Sequence, residues 1–225
     1  AEADIVALDR YGELPPLTRD EMFALMADRL DDIDDALLRD DSPRAAWALV
    51  NDEKIMRQQI ARELRTNANG AYTVDQEAVT ADEKETDIRL RSTGSMHEAI
   101  IELKMGEKDR SASDLKATIK DQLVVKYMAG ENTRAGCLLI TVKSARTWRH
   151  PETGAALNLT GLITMLNEEA TRIEQEMGGS LRLIVRCLDL QPRLSTERAK
   201  SRCRQGKTSS ERDPEGVRRA SVVDT

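Results

Sequence analysis

Residues 100–108 read IIELKMGEK, and in that run one apolar residue separates Glu102 from Lys104. Residues two apart along a strand project to the same side. An acid and a base therefore share one face, while Ala99, Ile101, Leu103 and Met105 share the other. Charges avoid a protein interior unless they are paired, bind metal or do chemistry. Upstream, ETDIRLRS (85–92) also alternates, with Thr86, Ile88 and Leu90 on one face and Asp87, Arg89 and Arg91 on the other. If the two strands are neighbours, Asp87 approaches Glu102 on the same face. Two carboxylates held close repel unless a cation sits between them, and a hard divalent ion such as Mg²⁺ suits oxygen donors of this kind. A lysine two residues on is close enough to contact a phosphate or an attacking water. The chemistry these residue types imply is metal-assisted hydrolysis. No nucleotide-binding loop and no Ser or Cys triad signature points to another reaction.

The elements that would position these residues follow from periodicity. Residues 1–17 end in Pro15-Pro16 and read as an extended lead-in. Thr18-Arg-Asp-Glu21 has capping-box spacing, and Met22, Leu25, Met26, Leu30, Ile33 and Leu37 then recur at steps of three and four, one apolar helix face. The opposite face carries Asp28, Asp31, Asp32, Asp34 and Asp35 and reads as a solvated acidic surface. Ser42-Pro43 predicts a second helix running through Trp47, Leu49, Val50, Met56, Ile60 and Leu64 to the stop at Asn67-Ala-Asn-Gly70. Period two takes over at 71–80, 85–92 and 98–105, three strands with short turns that predict an antiparallel meander. Ser111 or Ser113 caps a helix that continues to about Ala129. AGCLLITVK (135–143) is continuously apolar, as a central strand is. The stretch 144–157 reads as a loop, 159–177 as a helix and 180–190 as a strand. Beyond Pro192 the chain is rich in Arg, Ser, Lys and Gly, and 193–225 reads as a disordered, flexible tail. The predicted order is α-α-β-β-β-α-β-α-β.

Composition narrows the functional class. The chain has 225 residues and a net charge of −6, which argues against a uniformly basic nucleic-acid binder. The charge is uneven, however: the balance is −11 over residues 1–100, +4 over 101–150 and +1 over 151–225. A local basic surface, not the total, governs phosphate contact. The three cysteines (Cys137, Cys187, Cys203) form no CxxC pair, so neither a zinc knuckle nor a disulfide framework is suggested, and a reducing, cytoplasmic setting fits them. His97 and His150 read as loop residues. No apolar run approaches the roughly 20 residues that cross a bilayer, and no secretory signal opens the chain. The chain starts at Ala1, which Met removal or excision from a longer protein would explain.

Asp87 followed by Glu102-Leu103-Lys104, on a three-stranded meander preceded by a helix and followed by helix and strand, resembles the PD-(D/E)xK nuclease superfamily, with its RecB-like and Mrr-like members. The resemblance spans roughly residues 43–145. Thr86 stands where that family often has the proline of its name. The resemblance implies an α/β, restriction-endonuclease-like mixed-sheet core (α-β-β-β-α-β) over 43–192, with residues 1–42 as an N-terminal helical extension. It further implies a nuclease, endo- or exo-acting, that uses one or two Mg²⁺ (or Mn²⁺) ions to hydrolyse DNA phosphodiesters with weak sequence preference. Asp87, Glu102 and the Leu103 carbonyl would hold metal, and Lys104 would orient or deprotonate water. An acid on the helix before the first strand often completes such sites. Glu63 is the leading candidate, with Glu53 and Glu77 as alternatives.

The next helix, ATIKDQLVVKYMAG, resembles the Gln…Tyr element of RecB-like nucleases through Gln122 and Tyr127, although the family spacing is one residue shorter. On an α-helix these two would stand about 140° apart, whereas Gln122 and Lys126 would share a face. Lys108, Arg110, Lys116, Lys120, Lys126 and Tyr127 are the expected nucleic-acid contacts, each weighed against a plain solvated face. Effector domains of bacterial defence or repair proteins are often of this type, so a fused domain or a protein partner docked on the acidic helices, and homodimerisation, are further expectations. The competing class is a binding or assembly module that keeps the fold, with the triplet as a structural ion pair.

Overall fold

Thr18 sets where the first helix begins. Its hydroxyl accepts from the Glu21 N–H at 3.2 Å, and the Glu21 carboxylate accepts from the Thr18 N–H at 3.1 Å, the reciprocal cap that the spacing predicts. Helix α1 (Arg19–Leu37) buries Met22, Leu25, Met26, Leu30, Ile33 and Leu37. The computed structural model describes residues 13–79, 85–107 and 110–192, with backbone alone for 77–79 and 85–86. The Glu77 side chain, Lys108, the start of the lead-in and the tail from 193 lie outside the described residues.

The single helix predicted from Pro43 to Leu64 is two. A one-turn helix, α2 (Arg44–Trp47), is followed by α3 (Glu53–Thr66). The break falls at Asn51-Asp52, where the Asp52 carboxylate accepts from the N–H groups of Lys54 at 2.7 Å and Ile55 at 3.4 Å. An N-cap aspartate satisfies helix donors that would otherwise lack partners. The consequence is that Leu49 is 78% exposed, while Glu53 becomes the first residue of α3, where the helix dipole favours a negative charge.

The strands are β1 (Tyr72–Val79), β2 (Glu85–Ser92), β3 (Glu98–Met105), β4 (Thr133–Val142), β5 (Trp148–Arg149), β6 (Ala156–Leu157) and β7 (Arg182–Asp189). Five of them form a mixed sheet in the order β1-β2-β3-β4-β7. β1–β2 and β2–β3 pair antiparallel, and β3–β4 and β4–β7 pair parallel. The α/β class and the meander are as predicted, and the element order differs from the predicted one by the split second helix and a short hairpin. The stretch predicted as a loop contains the short hairpin β5–β6, in which His150 Nδ1 accepts from the N–H groups of Glu152 and Thr153.

Each face of the sheet has its own core. On one, α1 and α3 pack Met26, Leu30, Met56, Ile60 and Leu64 against Ile88, Ile101, Leu103 and Leu139. The helix read as an extension is thus one wall of the main core. On the other face, α4 (Ala112–Thr118), its π-helical continuation (Ile119–Tyr127) and α5 (Leu159–Glu176) pack Leu115, Leu123 and Leu166, with Trp148 of β5, against Ile100, Ile140 and Val185. Strand β7 closes one end of the sheet, and α5 covers its free edge chemically. Asn167 accepts from the Val185 N–H at 2.9 Å and donates to the Val185 carbonyl at 3.2 Å, and the Glu174 carboxylate accepts from the Leu183 N–H. Among the described residues, no helix is long and apolar enough to cross a membrane.

The Asp52 cap carries a measurable share of stability. Asp52→Ala should lower the urea midpoint by the equivalent of about 1 kcal/mol with an unchanged m-value, and Asp52→Asn should stay near the parent protein. An Ala variant as stable as the parent would show that the cap is not what ends the break.

Candidate functional site

The site is built where two strands part. The β2–β3 ladder runs from Arg91↔Glu98 to Ile88↔Ile101 and ends there, while β1–β2 pairing continues to Val79↔Glu85. β2 therefore leaves β3 and stays with β1. One register step past the last pair sets Asp87 opposite Glu102. In place of β2 backbone, the Asp87 carboxylate takes the Leu103 N–H, with Oδ2 at 2.9 Å. The N–H and C=O of one strand residue point the same way, so the Leu103 carbonyl also opens into this wedge.

Glu102 and Lys104 lie side by side as period two requires, with Lys104 Nζ 2.5 Å from Glu102 Oε1. They are 2% and 5% exposed. Glu102 Oε2 is buried without a hydrogen-bond partner. Burial, and then the negative charge of Asp87, push the Glu102 carboxyl up to about 7, against the opposing pull of Lys104 and Lys126.

Helix α3 supplies two more groups. Glu53 Oε1 is 4.0 Å from Lys104 Nζ, and its Oε2 accepts from the Met105 N–H and from Arg110, each at 3.4 Å. Arg57, one turn on, donates to Asp87 Oδ1 at 2.8 Å. Of the three acids considered for this helix and the strand after it, Glu53 is the one brought to the site. Glu63 sits ten residues further along α3, about 15 Å of helix rise. The start of α3 is itself tied down. Lys143, at the end of β4, donates to the Val50 carbonyl at 3.1 Å and to Asn51 Oδ1, and its own N–H, with that of Ser144, goes to Glu107 just beyond β3.

The basic residues divide. Arg110 reaches Glu53, and Lys126 reaches the charge of Glu102 while donating to the Tyr127 hydroxyl at 2.6 Å. Lys116 instead pairs with Glu152 at 2.9 Å and Glu169 at 3.5 Å, a tie between α4, the hairpin and α5. Lys120 is exposed. The segment holding Gln122 is not the expected α-helix. Residues 119–127 form a π-helix, in which hydrogen bonds run from i to i+5. The wider turn brings Gln122 and Tyr127 onto one side, and Lys126, four residues from Gln122, stays on that side too. Gln122 is half-buried and Tyr127 is buried. Cys137 and Cys187 are free, with burial pushing both thiols up to about 12, which leaves them inert. Cys203 lies outside the described residues.

Arg57 and Lys143 did not stand out in the sequence as site residues. The signal for Arg57 is its spacing of four from Glu53, which places both on one helix face. Among the described residues, no group of three or more His, Cys, Asp or Glu side chains is gathered closely enough to hold a metal ion. The acids stand instead as one facing pair, Asp87 and Glu102, with Glu53 across Lys104. Comparisons of the chain with protein-family models, curated proteins and solved structures find no match. What the topology defines is an α/β protein with a mixed five-stranded sheet and a buried cluster of charges where β2 and β3 part.

The raised Glu102 carboxyl has a definite consequence for stability. Its folded-state pKa exceeds that of the unfolded chain, so between about pH 4.5 and 7 the folded protein binds more protons. Stability contributed by the protonated form is complete below that window and is lost as pH rises through it. Urea denaturation from pH 4.5 to 8 should show the parent losing on the order of 2 kcal/mol relative to Glu102→Gln. Parallel pH profiles for the two proteins would contradict this.

Proposed function

We propose that the chain is a metal-dependent nuclease with a restriction-endonuclease-like core, hydrolysing phosphodiester bonds of DNA with weak sequence preference. The observation that carries the reading is Asp87 set opposite Glu102 at the parting of β2 and β3, with Lys104 in contact with Glu102. A divalent ion fits this donor set. Glu102 Oε2 is a buried acceptor without a partner, and a cation between two facing carboxylates offsets both the burial and the repulsion from Asp87 that raise the Glu102 carboxyl.

Asp87, Glu102 and the Leu103 carbonyl would hold Mg²⁺ or Mn²⁺, which when bound supplies a nucleophilic hydroxide and charge neutralisation. Lys104 presents an ammonium where an attacking water or a phosphoryl oxygen would lie, and it stabilises negative charge developing there. Glu53 holds Lys104 from its far side, and Arg110, paired to Glu53, brings a second cation to the rim. Lys126, Gln122 and Tyr127 on the π-helical segment offer a polar wall to the nucleic acid. The parting of β2 and β3, and the parallel β4 beside β3, suit the core type that the residue spacing resembles.

A second reading has one observation in its favour. Both Asp87 oxygens are engaged, by Arg57 and by the Leu103 N–H, and the Glu102–Lys104 pair is buried. That is what a nuclease-type fold kept as a binding or assembly module would look like, its charges serving as internal ion pairs.

Incubation with plasmid and linear DNA in Mg²⁺ or Mn²⁺ separates the two. Asp87→Ala, Glu102→Ala and Lys104→Ala should each reduce cleavage by about 100-fold or more. Cleavage insensitive to all three changes would remove the nuclease assignment, and absence of cleavage in the parent protein would favour the module.

A further inference from the structure

Helix α3 presents to the site a pair of opposite charges four residues apart, Glu53 and Arg57, on one face. The site answers with the complementary pair. Arg57 meets Asp87 at 2.8 Å and Glu53 approaches Lys104 at 4.0 Å. Side-chain exposure of Arg57 and Asp87 is 12% and 16%, and beneath them Glu102 and Lys104 are almost inaccessible. Counting Arg110 on Glu53, three acids (Glu53, Asp87, Glu102) face three bases (Arg57, Lys104, Arg110). Among the described residues these ion-paired groups balance one another, and Lys126 adds a further positive charge toward Glu102.

We propose that Arg57 is a built-in counter-ion that occupies the cation's place at Asp87 and latches α3 over the site, so that a divalent ion binds only by displacing it. This rests on the reading of Asp87 and Glu102 as metal ligands. The physical reason is charge balance. A divalent ion entering a poorly hydrated cluster whose acids are already matched by bases would leave a large excess of positive charge, and a guanidinium and a metal ion cannot both contact Asp87 Oδ1 without strong like-charge repulsion. Withdrawal of the Arg57 side chain removes one positive charge and frees the oxygen in the same movement. Asp87 keeps its place meanwhile, because its other oxygen stays bonded to the Leu103 N–H. Arg57 thereby sets the affinity for metal without being a ligand. It makes the closed form the resting state and couples metal entry to opening of the helix–sheet contact.

Mn²⁺ binding, followed by the electron paramagnetic resonance of the free ion, tests this independently of activity. Arg57→Met should bind Mn²⁺ about tenfold more tightly than the parent, within the range usual for coupling between two groups. Arg57→Gln should do the same, and it serves as the second variant if the Met protein is unstable by thermal melting. Adding Asp87→Asn to either should erase the gain. Folded Arg57 variants that bind Mn²⁺ no more tightly than a metal-binding parent would overturn the latch and leave the metal-site reading standing. No Mn²⁺ binding by parent or variants, up to millimolar concentration, would overturn both.

Discussion

The separation of β2 from β3 after the Ile88↔Ile101 pair is the constraint on which the candidate site depends. A strand that loses its neighbour leaves buried N–H and C=O groups in need of partners. Here the Leu103 N–H is satisfied by a side chain, Asp87, rather than by the departing backbone. That substitution fixes the Asp87 carboxylate inside the wedge and directly across from Glu102. Had the ladder continued, the same carboxylate would have had no backbone donor to hold it there.

Charge compensation follows from this geometry. A carboxylate as buried as Glu102 is costly in its ionised form unless cations lie close. The surrounding elements supply them from four directions: Lys104 from the same strand, Arg57 from α3, Arg110 from the segment before α4, and Lys126 from the π-helical turn. Precision then depends on anchoring. Lys143 clamps the loop that launches α3 to the ends of β3 and β4, so the reach of Glu53 to Lys104 is set by the sheet rather than by the loop's own preferences.

Much of this was legible in the residues alone, for a specific reason. Alternation in ETDIRLRS and EAIIELKM marks both strands with the bounds they have in the structure, and period two by itself puts Glu102 beside Lys104. The apolar steps of α1 likewise mark its buried face. What escaped notice were features without a hydrophobic period. The break before α3 is announced only by Asn51-Asp52, a capping signal inside an otherwise helical run. Glu63 is favoured by its place near the end of the predicted helix, whereas the break makes Glu53 the first residue of α3. A π-helix has no distinctive apolar pattern, so the turn that brings Gln122 and Tyr127 onto one side could not be read. The β5–β6 strands are too short for any alternation to show. Arg57 carries no signal for its role at Asp87, because that partner lies 30 residues away on β2.

The side chains that line β7 have a bearing on how this molecule can meet others. A strand from a second molecule seeking to lengthen the sheet there would find the Leu183 N–H already bonded to Glu174, and both backbone groups of Val185 bonded to Asn167. Unspent backbone at a sheet's margin is what templates such growth. α5 consumes it with an amide and a carboxylate, at a sheet margin that carries none of the charge cluster. At these two residues an approaching strand therefore meets backbone that is already spent, and the sheet is finished there.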